Sequence, residues 1–270
     1  MPGRPDDAIC LRSYEYAESS QIVSCLTRRG GRVRGLAKGA TRTAPSSLAR
    51  FSGGLWPTQR GQLTVAARAS TELAAVTEWD LLDDRHGLRT ALDAQRHALA
   101  LVELVDALTA DGDPAPHLFD WLDEALGHLA APAASSAGRG VAVAFVWRLL
   151  DAAGFAPRLD QDLDSGRPLT PAAADRLAFI PAEGGFSTAA EAGPHIWPVS
   201  GSTVRLLRRF AETAAAADAQ PLSEAVPPDT EPDVVRRAGR LLASFARHLA
   251  ERDLPAASIA FDLPDVAAGT

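Results

Sequence analysis

Lysine is all but missing from this chain: Lys38 is the single example, against 26 arginines and a great deal of alanine, a bias that points to a GC-rich genome. Cysteine is nearly as scarce. Cys10 and Cys25 each sit in an apolar segment and not in a C-x-x-C spacing, so two buried free thiols are expected, with a disulfide or redox role as the alternative. No apolar run approaches the roughly 20 residues that span a bilayer, and Met1 to Asp7 is polar with no hydrophobic signal core, so no membrane association and a cytoplasmic location are expected. Phosphate-loop, H-E-x-x-H and G-x-S-x-G arrangements are also lacking, and no catalytic residue is nominated. The six histidines (His86, His97, His117, His128, His195 and His248) are scattered singly and read as surface or core residues. The protein is expected not to be an enzyme and to need no cofactor.

What is present is an uneven charge. The net charge of -7 argues against a nucleic-acid partner until it is divided by position. Residues 1 to 70 hold eleven basic groups against Asp6, Asp7, Glu15 and Glu18, a balance of +7, which leaves the rest of the chain at -14. A basic front and an acidic back predict two surfaces with different partners.

Periodicity divides the chain in the same way. Ala8 to Ser13, Gln21 to Thr27, Arg32 to Ala37 and Gln62 to Ala69 are short and rich in Val, Ile and Leu, and the Gly30-Gly31 pair between two of them is a hairpin signal. Several such strands in 80 residues predict a small barrel. From Trp79 onward the period is expected to change to 3.6, with Leu88, Leu92, Leu99, Val102, Val105 and Leu108 on one stripe. Asp113-Pro114 is expected to open a second helix; Val141 to Ala153, apolar on nearly every side and stopped by Gly154, is expected to be the central one. Residues 155 to 200 lose periodicity. Helices are predicted again over Ser202 to Ala217 and, with Thr230 as cap, Pro232 to Arg252.

The segment Leu11-Arg12-Ser13-Tyr14-Glu15-Tyr16-Ala17-Glu18-Ser19-Ser20-Gln21-Ile22-Val23, with Thr27 and Gly31 to Ala40 after it, resembles the opening of the bacterial RecO family. Leu48 to Phe51 resembles that family's next landmark, and Leu150 to Leu159 with Gly154, Pro157 and Gly166 resembles the entry to its zinc module. The resemblance implies an α+β fold: an N-terminal OB-fold barrel (residues 1–79), a helical domain (80–253) with a zinc-ribbon-like insertion at about 155–200, and a C-terminal tail (254–270). It implies a recombination mediator that binds single- and double-stranded DNA, anneals strands, and acts with RecR to replace single-strand-binding protein by RecA. The C-terminal tail of single-strand-binding protein is a further implied partner, and the nucleoid the implied place of work. Two departures stand out. Where relatives carry two C-x-x-C pairs this chain has Asp162, Ser165, Thr188 and Glu191, so the insertion is expected to be metal-free. Leu254 to Phe261 replaces a short basic segment.

An OB-fold grips a single strand with a basic groove and aromatic faces. Arg32 and Arg34 alternate with Val33, which puts both guanidinium groups on one strand face. Lys38 and Arg42 continue that strand into a glycine-containing loop, and Arg28 lies on the facing arm. The expected DNA surface is therefore Arg28, Arg32, Arg34, Lys38 and Arg42. Tyr14 and Tyr16 share a face, for which core packing is favoured over base stacking. Two alternatives stay open: an adaptor that docks RecR or single-strand-binding protein with little DNA binding of its own, and a divalent-metal hydrolase around Asp162, Asp164 and Glu191. Arg205, Arg208, Arg209, Arg236, Arg237 and Arg240 are candidates for a partner-peptide groove only as clusters.

Overall fold

Five strands close into a barrel at the front of the chain: β1 (Asp6–Tyr16), β2 (Ser20–Thr27), β3 (Gly31–Ala37), β4 (Arg60–Ala66) and β5 (Ala74–Asp83), in the order β1-β2-β3-β5-β4. The computed structural model describes residues 3–66, 73–132, 138–172, 175–189, 196–215 and 221–264. A short helix, α1 (Pro45–Phe51), lies between β3 and β4 and plugs the interior with Phe51. The core is built from inward positions of the strands, Ala8, Cys10, Val23, Cys25, Ala37, Leu63, Val76 and Trp79.

Trp79 does not begin a helix, as the change of period had suggested; it lies inside β5 with 1% of its surface exposed. A bulge explains the misreading. The β4–β5 register shifts between Thr64 and Val65, so an extra residue, Thr77, separates Val76 from the next inward position. Val76 and Trp79 then fall three apart on one face, which is helical spacing produced by a strand.

The chain forms two compact units, residues 1–135 and 136–270. The first contains the barrel and two helices, α2 (Leu92–Leu108) and α3 (Pro116–Ala130), so the helical part of the chain is shared between the units. Helix α3 begins at Pro116, later than the Asp113-Pro114 signal, and has no side-chain cap. Asp113 is used otherwise: its backbone lies so close over Gly31 that a Cβ there would stand 2.1 Å from the Asp113 carbonyl oxygen.

In the second unit α4 (Gly138–Ala152) is buried at every position from Gly140 to Leu150, Arg148 included, as a sequence apolar on nearly every side predicts, and is followed by Gly154 at φ +79°. Helices α5 (Gly201–Ala215) and α6 (Pro232–Ala250) pack with it. Glu231, not Thr230, precedes α6, and no side chain caps it. The stretch expected to be irregular contains a four-stranded sheet, β6 (Arg158–Asp162), β7 (Arg176–Ile180), β8 (Gly185–Ser187) and β9 (Trp197–Ser200), in the order β6-β8-β7-β9. Strands of three to five residues are too short to show alternation. Phe179 anchors this sheet, with ring centroids 5.0 Å from both Phe186 and Phe245. Residues 255 to 260 form a short helix, α7 (Pro255–Ala260), with Ala257, Ala260 and Phe261 buried.

Candidate nucleic-acid interface

The register of the first three strands fixes which side chains share the outer barrel wall. Arg12 pairs with Ser24 and Ser24 with Arg34; Tyr14 pairs with Ile22 and Ile22 with Leu36. Directly opposed residues point the same way, and Val23 and Cys25 point inward, so Arg12, Tyr14, Ile22, Leu36, Arg34 and Arg32 lie on one outer surface. A bulge at Leu11 gives β1 the parity that places Arg12 and Tyr14 there.

Helices α2 and α3 cover one half of this surface. They pack on β1 and β2, and Ile9, Leu11 and Leu26 are buried beneath them. The acidic side chains they bring neutralise most of the nearby arginines. Arg12 reaches Asp106 at 3.6 Å. Arg32 Nε bonds Asp111 Oδ1 at 2.7 Å and Arg34 Nε bonds Asp111 Oδ2 at 2.8 Å. Arg28 pairs with Asp120 at 2.6 Å and lies over the Phe119 ring, 4.7 Å from its centroid. Arg60 bonds Asp123 at 2.6 Å, and the buried Arg85 bonds the other oxygen of the same carboxylate. Partial burial works against the charge on Asp111, but the hydrogen bonds from Arg32 and Arg34 outweigh it and hold the carboxyl below its usual range.

The other half is open. Tyr14 and Tyr16 are 49% and 53% exposed, so neither is a core residue, which corrects the packing expected for them. The Arg12 guanidinium lies 4.9 Å from the Tyr14 ring centroid. Tyr16 pairs with Ser20, whose hydroxyl accepts the Gly39 amide at 3.2 Å, and this brings the Lys38–Arg42 loop beside the turn after β1. Thr41 N donates to Ser19 O at 3.1 Å, and Arg42 Nε donates to Ser19 Oγ at 2.9 Å. Lys38 and Arg42 are exposed, and among the described residues neither meets a carboxylate. Glu15, near the end of β1, and Glu18, in the turn after it, are exposed, so the rim is mixed in charge.

The five expected positions therefore do not form one patch. Lys38 and Arg42 sit together at the open end, Arg34 lies next to it half-exposed, and Arg28 and Arg32 are held against the covering helices by their own carboxylates. Sequence reading missed Asp106, Asp111, Asp120 and Asp123. Their presence could have been suspected only from the surplus of acid that follows the basic front.

In the second unit the described residues read as replacing zinc ligands, Asp162, Ser165 and Thr188, do not fit a metal. Asp162 is buried, and its oxygens are already engaged. Oδ1 accepts from Ser165 N and Ser165 Oγ, both at 2.8 Å, and Oδ2 accepts from Thr188 N at 2.6 Å and Thr188 Oγ1 at 2.7 Å. Asp164 bonds the Ser187 hydroxyl. A carboxylate saturated by donors has no lone pair directed at a cation, and hydroxyls are poor zinc ligands. Among the described residues no group of three His, Cys, Asp or Glu could hold a metal ion. Glu191 and His195 lie outside the described residues.

A closed OB-like barrel followed by a helical unit that carries a small inserted sheet defines the class: an OB-barrel protein of α+β fold. Family models for the N-terminal and C-terminal parts of recombination protein O match residues 3–85 and 89–256. The DNA repair protein RecO of Geobacter sulfurreducens is 34% identical over 225 residues, 82% of this chain and 87% of the relative. That of Anaeromyxobacter sp. (strain Fw109-5) is 32% identical over 254 residues, 92% and 91% of the two chains, and that of Myxococcus xanthus is 36% identical over 182 residues, 67% and 69%. The chain belongs to the RecO family of DNA repair proteins. No described helix is long and apolar enough to cross a membrane.

Proposed function

We propose that this chain is a non-enzymatic recombination mediator that binds single-stranded DNA on the open half of the barrel's outer face. Tyr14 and Tyr16 offer stacking surfaces to bases, while Lys38, Arg42 and Arg34 meet phosphates. One observation carries this: two exposed tyrosines stand on the β1–β3 wall that OB-folds use for oligonucleotides, and the loop that follows β3 beside them holds Lys38 and Arg42, which meet no carboxylate of the described residues. Arg28 and Arg32, expected in the DNA surface, serve in this proposal to seat the covering helices. The same protein anneals complementary strands, binds duplex DNA, and acts with RecR to exchange single-strand-binding protein, engaged by its C-terminal tail, for RecA. It works in the cytoplasm at the nucleoid.

The test is an anisotropy titration of a labelled single strand at several salt concentrations with wild type and Lys38→Glu, Arg42→Glu. Salt-sensitive binding that the folded variant loses supports the proposal, because phosphate neutralisation releases counterions. A second reading, an adaptor that docks protein partners with little DNA contact, is favoured by the neutralisation of Arg12, Arg28, Arg32 and Arg60 by internal carboxylates. Absence of wild-type binding at the lowest salt would select it.

A further inference from the structure

Asp111 stands in the turn between α2 and α3, and its two carboxylate oxygens are divided between two guanidinium groups on the outer face of β3, Oδ1 to Arg32 and Oδ2 to Arg34. A phosphodiester group presents two anionic oxygens in much the same way, and arginine forks recognise carboxylate and phosphate by the same geometry.

The two arginines are not equivalent. The Arg32 side chain is 16% exposed, also bonds the Asp106 carbonyl, and belongs to the stitching of the turn, since Gly112 N donates to Arg32 O at 2.9 Å. Arg34 is 48% exposed and meets Asp111 through Nε alone; its terminal nitrogens have no partner among the described residues. It stands next to the open half of the face: across β2, Ser24 links it to Arg12, whose guanidinium lies over Tyr14. An ion pair this exposed is weak enough to be exchanged for another anion.

We infer that Asp111 is an internal stand-in for a backbone phosphate: it occupies Arg34 in the free protein, is displaced when a strand engages there, and so sets the affinity of the interface and its salt dependence. Asp111 is a positioning residue in this scheme and does not itself contact DNA. The inference rests on the DNA-binding reading above.

The experiment compares wild type, Asp111→Asn, Arg34→Gln and the double variant by anisotropy titration of a labelled oligothymidylate across a salt series, with thermal melting of each protein. Asp111→Asn is expected to tighten binding several-fold at low salt and to steepen the salt dependence by about one released counterion, on the order of 0.7 in the logarithmic slope. In the Arg34→Gln background the same change should leave the slope unaltered. Asp111→Ser, which likewise removes the carboxylate, replaces the Asn variant if that one melts early. Wild-type binding with no tightening in either Asp111 variant overturns the role of Asp111 while leaving the interface intact, as does equal tightening with and without Arg34. Failure of every protein to bind removes the interface, and the inference with it.

Discussion

Asp162 and Thr188 stand 26 residues apart in the chain and are joined by two hydrogen bonds onto one carboxylate oxygen, from the Thr188 amide and from its hydroxyl. With the bonds from Ser165 to the other oxygen they tie the end of β6 to the end of its neighbour β8. The Ser165 amide first, then the Thr188 hydroxyl, hold the Asp162 carboxyl far below the usual range. A pKa lower in the folded than in the unfolded state means stabilisation that is complete above about pH 4 and is lost as pH falls towards the folded value. Asp162→Asn replaces one acceptor oxygen by an amide nitrogen facing a backbone N–H that can only donate, and is expected to cost about 1 to 3 kcal/mol at neutral pH. Thermal melts against pH should show wild type falling below about pH 4 and the variant flatter there. A chelator should leave the wild-type melt unchanged; a drop would show that a metal takes part.

Arg85 and Arg28 separate buried from exposed pairing. Arg85 is buried and shares the Asp123 carboxylate with Arg60. Arg85→Ala leaves that carboxylate partly uncompensated, and a loss of about 3 to 5 kcal/mol is expected in urea unfolding. Arg28→Ala removes a half-exposed pair with Asp120 and should cost less than about 1 kcal/mol. Similar losses for the two would contradict the burial argument.

Tyr14→Ala and Tyr16→Ala each remove one stacking face without touching the barrel core. Single-strand affinity should fall by about 1 to 3 kcal/mol for a ring that stacks on a base, with the salt slope unchanged, because no phosphate contact is lost. Phenylalanine at the same position should restore it. A changed slope with unchanged stacking energy would point to a role in charge placement.

Cys10 and Cys25 face each other across β1 and β2 inside the barrel, both free and both without exposed surface. The hydrogen bond between them and then burial push the Cys10 thiol well above its usual value. Neither thiol should react with an aromatic disulfide reagent in the native protein, and both should react once it is denatured. Fast native labelling would mean that the barrel opens at this point.

Much of the architecture was legible because its signals are local. The alternation in β1 to β3, the Gly30-Gly31 turn and the nearly continuous apolar run of α4 each state their structure in a few consecutive residues. The fifth strand was not, since the bulge at Thr77 gives Val76 and Trp79 helical spacing, and the inserted strands are too short to carry a period. Of the site, sequence alternation correctly placed Arg32 and Arg34 on one face but could not say what faces them. Asp111 lies 77 residues from Arg34 in the chain, and a charge opposed by so distant a partner looks free in sequence. Tyr14 and Tyr16 were misjudged for a related reason: whether the outer side of a strand is covered depends on where α2 and α3 come to rest.

The seating of those two helices also has a temporal side. Ile9, Leu11 and Leu26 are sheltered, and Arg28, Arg60 and Arg85 gain the carboxylates of Asp120 and Asp123, only when α2 and α3 are in place; the barrel's own segment offers them Asp7 and Asp83 at 3.3 to 3.9 Å. The break between the matched family segments, after residue 85, therefore falls before the two helices that cover the barrel's outer wall. Until Asp123 has been synthesised and has cleared the exit tunnel, the strands at the front of the chain hold an outer wall still bare of its cover.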